Sequence, residues 1–210
     1  MGPEKPTPKV EEAPPGGGPF VELGGLDRTT LEGVRRHDPA ALAAFFEHYV
    51  DAVYDLAHRM LGERAPAEDA TQEVFLRVHR AAARLDPDRN PRPWLLKITR
   101  NVCRDVWRSA TYRADRRSVP VDSEPPAAAM LAASPETPEE ALLARSRNER
   151  VRRAVTALPE SLREVVLLHD WAGLRHDEIA DVVDSTHAAV RKRYSRALAR
   201  LAELLQGEFE

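Results

Sequence analysis

The chain has 210 residues, with 31 Lys and Arg against 34 Asp and Glu and a formal net charge of −3. That length allows one domain or two small ones, and the near-neutral total excludes a uniformly basic surface while leaving room for local basic faces offset elsewhere. The single cysteine, Cys103, excludes an intramolecular disulfide, and the seven histidines lack metal-ligand spacing, so neither a metal nor a cofactor is expected.

Helix formers dominate and no alternating β-branched run occurs, so the expected fold is all-α. Residues 1–26, rich in Pro, Gly and Glu, cannot bury enough surface to offset their ordering entropy and are expected to be a disordered tail. Asp38-Pro39 opens the first strong helix, and Leu42, Phe45, Phe46, Tyr49, Val53, Leu56, Ala57 and Met60 mark its apolar stripe down to Gly62. A second helix is expected after Pro66, with Ala70, Val74, Phe75, Val78, Ala81 and Leu85 inward. A third begins at Pro93, with Leu95, Ile98, Val102 and Val106 as its core stripe, and residues 27–117 read as one small helical domain.

Between residues 118 and 144 the chain holds several prolines and five acidic residues without a Lys or Arg, the composition of a flexible acidic linker. Residues 145–210 form a second helical domain, interrupted at Leu158-Pro159 and stopped at Gly173. Within it, residues 177–183 make a short helix, Asp184-Ser185-Thr186 a turn with Thr186 as N-cap, and residues 188–202 a longer helix. The pair reads as a helix-turn-helix, whose second helix enters the major groove of duplex DNA. No apolar signal segment opens the chain and no stretch approaches the roughly twenty apolar residues of a membrane span, so a cytoplasmic protein without membrane insertion is expected.

Three surfaces are candidates for function. On the last helix Arg191, Lys192, Arg193, Arg196 and Arg200 stand opposite Val190, Tyr194, Ala197 and Leu201, with no acid on the segment to offset them. On the third helix Lys97, Arg100, Asn101, Arg104 and Arg108 recur at spacings of three and four beside Trp94, with Arg89 and Arg92 preceding them. Cations that hold phosphates, next to a ring that stacks on a base, suit a single strand, although Trp94 reads equally as core. On the second helix Asp69, Gln72, Glu73, Leu76 and Arg80 lie off the core stripe; first-turn acids complement the helix dipole, but Glu73 sits deeper, which favours a partner. No nucleophile with its base, paired carboxylates or phosphate-binding glycine loop occurs, so no catalytic residue is assigned and an enzyme is not expected.

Together these segments resemble a known family. Residues 39–109 resemble region 2 of bacterial extracytoplasmic-function (group IV) sigma factors of the sigma-70 family. Asp69-Ala70-Thr71-Gln72-Glu73-Val74-Phe75 fits the D-x-x-Q-E-V-F pattern, and residues 93–101 fit the W-L-x-x-I-A-R-N helix. Residues 150–205 resemble region 4 through Leu158-Pro159, Glu178-Ile179-Ala180 and Val190-Arg191-Lys192-Arg193. Asp184 stands where the turn usually carries Gly, Ser185 replaces an apolar residue, Ala188-Ala189 replaces Gly-Thr, and Arg175 takes a position often held by a Ser or Thr cap. The resemblance implies a factor that joins the RNA polymerase core, through its β′ and β subunits, and directs initiation at promoter DNA under control of an anti-sigma factor.

It further implies that Asp69, Gln72, Glu73, Leu76 and Arg80 face the core polymerase. Arg89, Asn90, Trp94, Lys97, Arg100, Asn101 and Arg104 would capture unpaired minus-ten bases. Thr186, His187, Ala188, Arg191, Lys192, Arg193, Ser195 and Arg196 would meet the minus-thirty-five duplex. The linker would follow the RNA path of the polymerase. A stand-alone helix-turn-helix regulator explains the last helix equally well but gives no reason for the basic face beside Trp94.

Overall fold

The structure is a computed structural model that describes residues 25–109 and 138–206, with side chains from residue 146 onward in the second stretch. The tail expected over 1–26 and the linker expected over 118–144 therefore fall largely outside the described residues. Among the described residues every regular element is helical.

A short helix that the periodicity does not announce, α1 (Arg28–Arg35), leads the chain, its first turn closed by the Asp27 carboxylate, which accepts from the Thr30 N–H at 3.0 Å. The eight residues carry too short an apolar pattern to register, yet Leu31 and Val34 are buried. α2 (Pro39–Leu61) starts where Asp38-Pro39 predicts, with the Asp38 carboxylate accepting from Ala41 N–H at 2.9 Å, and ends at Gly62 in the left-handed region, φ 85°. Its Phe45, Tyr49, Val53, Leu56 and Met60 are buried at helical spacing. Phe46, placed on the same stripe by the sequence, instead faces outward at 46% exposure.

α3 (Arg64–Ala81) begins before Pro66 and places the small residues Ala67 and Ala70, with Val74 and Val78, against α2. After a single 3-10 turn at Ala82–Arg84 and a proline-held loop, α4 (Arg92–Arg108) buries Leu95, Leu96, Thr99, Val102, Cys103 and Trp107. That buried arc is wider than the single stripe of Leu95, Ile98, Val102 and Val106, because α4 is covered from two sides.

The second stretch opens with α5 (Pro138–Ala157), which starts earlier than residue 145, inside the segment assigned to the linker. Leu158-Pro159 breaks the chain as the sequence indicates, and α6 (Glu160–Val166) runs into a π-helical turn, Leu167–Trp171. The turn is closed by Ala172 N–H donating to Leu167 C=O at 2.8 Å, and Gly173 stops it at φ 63°. α7 (His176–Val182) and α8 (His187–Gln206) complete the helix-turn-helix.

The fold is thus all-α with two helical domains, one made of α1–α4 and one of α5–α8. They do not stand apart: one apolar cluster runs from Leu31, Leu56 and Leu95 through to Leu168, Ile179 and Val190. Arg163, buried on α6, crosses the seam to donate to Met60 C=O at 2.5 Å, while also donating to the carbonyls of Thr156 and Leu158. Carbonyls at the ends of α2 and α5, which have no intrahelical donors, thereby share one guanidinium. Arg59 lies over the Trp171 ring, 3.4 Å from its centroid, at the same seam.

Candidate functional site

On α3 the exposed residues Asp69, Gln72, Leu76 and Arg80 form one outward face, with Leu76 at 53% exposure. Glu73 is half-buried, its carboxylate accepts from Arg77 Nε at 2.7 Å, and Arg77 reaches on to Asp105 of α4 at 2.9 Å. Phe75 leans inward, its ring 4.8 Å from that of Phe46 in an edge-on contact. Phe46 and Leu76 thus leave apolar surface beside the carboxylates, a combination suited to a protein partner rather than to a phosphate backbone.

Arg89 and Asn90 are exposed in the loop before α4, and Asn90 Oδ1 accepts from Arg92 N–H at 3.0 Å, fixing the turn into the helix. Trp94 is half-buried against the core, between the two alternatives that the sequence leaves open. The basic face beyond it differs from expectation. Lys97 Nζ donates to Asp184 Oδ1 at 2.6 Å and to Asp181 C=O at 3.0 Å, both in the second domain. The ammonium beside Asp184 holds its carboxyl below the usual carboxylate range, chiefly through that hydrogen bond.

Arg100 is buried and makes a paired contact with Glu164 of α6, Nε to Oε2 at 2.8 Å and Nη2 to Oε1 at 3.3 Å, both side chains 5% exposed. Its remaining nitrogen donates to Asn101 Oδ1 at 3.1 Å. Arg104 is half-buried, its buried Nε without an acceptor among the described residues. A face that the sequence leaves to solvent is therefore covered by α6 and α7. One amphipathic stripe predicts one interface; a second helical surface meeting the polar side leaves no mark in the periodicity.

At the helix-turn-helix, Asp184 takes φ 51°, the left-handed geometry that an Asp in place of Gly requires. Thr186 caps α8, its hydroxyl accepting from Ala189 N–H at 3.2 Å. At Arg175, which cannot accept as a Ser or Thr cap does, the Glu178 carboxylate receives the backbone N–H at 2.8 Å instead. His187, Ala188, Arg191, Lys192, Ser195 and Arg196 are exposed along the start and middle of α8. Arg193 departs from them: it is half-buried and stands 3.8 Å from Glu164. Tyr194 holds the helix down by donating to Asp170 at 2.8 Å, within a ring cluster in which His169 stacks on His176 at 4.5 Å.

Glu164 and Asp184 are therefore residues of the site whose partners sequence reasoning misses. A signal was present in one of them, since a carboxylate adjoining Arg163 within the apolar run from Leu162 to Leu168 needs a counter-charge when buried. Which cation supplies it is a matter of tertiary packing.

Family models match the chain twice, sigma-70 region 2 over residues 45–113 and sigma-70 region 4 over residues 148–201. Among curated proteins the chain is 34% identical over 188 residues to "Probable RNA polymerase sigma factor RfaY" of Xanthomonas campestris pv. campestris, covering 84% of this chain and 46% of that protein. It is 30% identical over 171 residues to the ECF RNA polymerase sigma factor SigE of Mycolicibacterium smegmatis, covering 80% and 64%. It thus spans less than two thirds of either, but 95% of the ECF RNA polymerase sigma factor SigW of Bacillus subtilis, at 25% identity over 84% of this chain. Among solved structures, CnrH in complex with the cytosolic domain of CnrY superposes with a TM-score of 0.61 at 25% identity, covering 86% of this chain and 97% of that one. The sigma factor RpoE of Bartonella quintana, in complex with the anti-sigma factor NepR, shares the fold at a TM-score of 0.60 and 21% identity, covering 78% and 96%. With a region 2 match and a region 4 match in that order, and ECF sigma factors among its relatives, the chain belongs to the extracytoplasmic-function branch of the sigma-70 family.

Proposed function

We propose that the chain joins the RNA polymerase core in the cytoplasm and directs promoter-specific initiation, as a binding protein rather than an enzyme. The observation that carries this reading is the presence, on one chain and in region order, of an acidic and apolar helix face followed by two separate basic helices. Asp69, Gln72, Glu73, Leu76 and Arg80 of α3 would meet the core. Arg89, Asn90, Trp94, Lys97, Arg100, Asn101 and Arg104 would take the opened minus-ten strand. Extruding a base costs a few kcal/mol, which stacking at about 1–3 kcal/mol per base can offset, so that sequence choice and strand separation become one event.

Thr186, His187, Ala188, Arg191, Lys192 and Ser195 at the start of α8 are suited to base edges and Arg193 and Arg196 to phosphates. An anti-sigma factor is the expected regulator, the kind of partner with which the Bartonella neighbour was solved. Run-off transcription with purified core polymerase on a library of promoter fragments tests the whole reading. Initiation from a subset of templates, only when the chain is present, is the expected result; no stable association with core, or association without initiation from any template, would overturn it.

A further inference from the structure

Three histidines form a ladder beneath and beside the start of α8. His169 of the π turn is buried, His176 at the start of α7 is half-buried, and His187 at the start of α8 is exposed. Their rings succeed one another, His169 stacked on His176 at 4.5 Å between centroids and His176 edge-on to His187 at 6.2 Å. Tyr194 of α8 closes on the two inner rings, 4.5 Å from His169 and 5.2 Å from His176. The inner end is anchored by Asp170, whose Oδ1 accepts from the Tyr194 hydroxyl at 2.8 Å and from His169 Nδ1 at 2.9 Å. A carboxylate only accepts, so this contact fixes the tautomer and orientation of the His169 ring.

Charges face this ladder from each element around it. The π turn contributes Asp170 at its inner end, and α8 contributes His187 and the Tyr194 hydroxyl. Beside His176, Arg175 pairs with Asp177 at 3.2 Å and lies 4.0 Å from Glu178, so two carboxylates already answer that guanidinium. From α4, the charge of Arg92 acts on the same Glu178. Like charges on rings this close oppose each other, so a second proton on the ladder needs a further anion.

In a helix-turn-helix the first helix crosses the phosphate backbone while the second enters the groove, so the open end of the ladder, between the starts of α7 and α8, is the end that a seated duplex approaches. We propose that His176, with His169 behind it and His187 in front, couples duplex binding to proton uptake, the phosphates supplying the counter-charge for the second positive imidazole. The inference rests on the reading of α7 and α8 as the duplex-binding pair. The bound state then holds more protons than the free chain, so affinity rises as pH falls through the range where imidazoles gain charge. The added charge also makes one more phosphate contact, so binding becomes more sensitive to salt in mild acid.

The test uses the full chain and three variants. His176→Gln and His187→Gln each remove one imidazole of the ladder. His79→Gln makes the same change at an exposed position on α3, so effects of acid common to the whole molecule appear in it equally. Binding to a random-sequence duplex DNA pool is measured by fluorescence anisotropy at pH 7.5 and at about pH 6, each over a series of salt concentrations.

The unsubstituted chain and His79→Gln are expected to bind about threefold to tenfold more tightly at the lower pH, within the limit of about tenfold per pH unit for one proton taken up. Their salt dependence is expected to steepen by about 0.9 in the logarithmic slope, the value of one phosphate contact. His176→Gln is expected to gain less than about twofold, with an unchanged salt slope. If His176→Gln loses its helical circular dichroism, the exposed His187→Gln decides by the same comparison. A ladder variant that tightens as much as His79→Gln, or an unsubstituted chain that binds no duplex or binds it equally at both pH values, would overturn the proposal. Run-off transcription by the unsubstituted chain with core polymerase, performed alongside, separates those outcomes from failure of the functional reading itself.

Discussion

Cys103 on α4 is fully enclosed, and burial pushes its thiol up to about 12, so almost no thiolate exists near neutral pH. The native chain is expected to resist alkylation by iodoacetamide at neutral pH and to take up one adduct per molecule in denaturant, read as a mass shift; rapid labelling of the native form would place this thiol at the surface. Gly33 presents two opposing effects. Alanine in a helix interior gains about 0.5–1 kcal/mol over glycine, yet a Cβ here would lie 2.6 Å from the Ala41 Cβ on α2. Both atoms belong to packed helices rather than flexible side-chain ends, so the clash wins. Gly33→Ala is expected to destabilise the fold by about 1–3 kcal/mol in a denaturant titration, with unchanged slope. Arg100 and Glu164 illustrate a different asymmetry, because removing one member of a buried pair strands the other. That costs about 3–5 kcal/mol, whereas an exposed pair such as Arg200 and Glu203 contributes little.

At the scale of helices, local chemistry was legible wherever one residue type decides one geometry. Asp38-Pro39 opens α2, Gly62 closes it, Gly173 halts the π turn, and Thr186 caps α8 as their side chains and backbone freedom require. What stayed hidden has physical causes. α1 is too short for a periodic signal, the π turn changes hydrogen-bond register without changing composition, and the polar side of α4 meets a second domain rather than water. The placement of Glu73, half-buried and held by Arg77, gives it a fixed carboxylate on the α3 face. Glu73→Lys is accordingly expected to weaken association with purified core polymerase before it alters DNA binding, with surface-immobilised core as the readout and unchanged affinity as the contrary result. On α8, Arg191 and Lys192 are exposed. Reversing both charges is expected to abolish transcription that depends on the minus-thirty-five element while core association survives. Loss of core association in a folded variant would reject that division of labour.

Across the whole molecule the seam between the domains concentrates groups whose charge is costly to bury. His58 on α2 is enclosed there; burial lowers its pKa, and the nearby guanidiniums of Arg152, Arg59 and Arg64 lower it further. Asp55, one turn earlier, is shifted the other way, raised by burial against a smaller opposing effect of Arg59. The two shifts act in different parts of the pH range. For His58 the folded pKa lies below the unfolded one, so between them the unfolded chain carries the extra proton, and stability falls as pH drops below about 6.5. For Asp55 the folded pKa lies above the unfolded one, so its penalty is present at neutral pH and shrinks only as pH falls through the more acidic carboxylate window. Mild acidification therefore meets the histidine first, and meets it at the seam, where Arg152 of the second domain already opposes a positive charge on the ring. Thermal melts are expected to shift to lower temperature between pH 7.5 and about 5.5 in the unsubstituted chain, and to shift less in His58→Gln, which removes the titrating imidazole without adding charge. An identical pH slope in the two proteins would remove His58 as the source of the acid sensitivity.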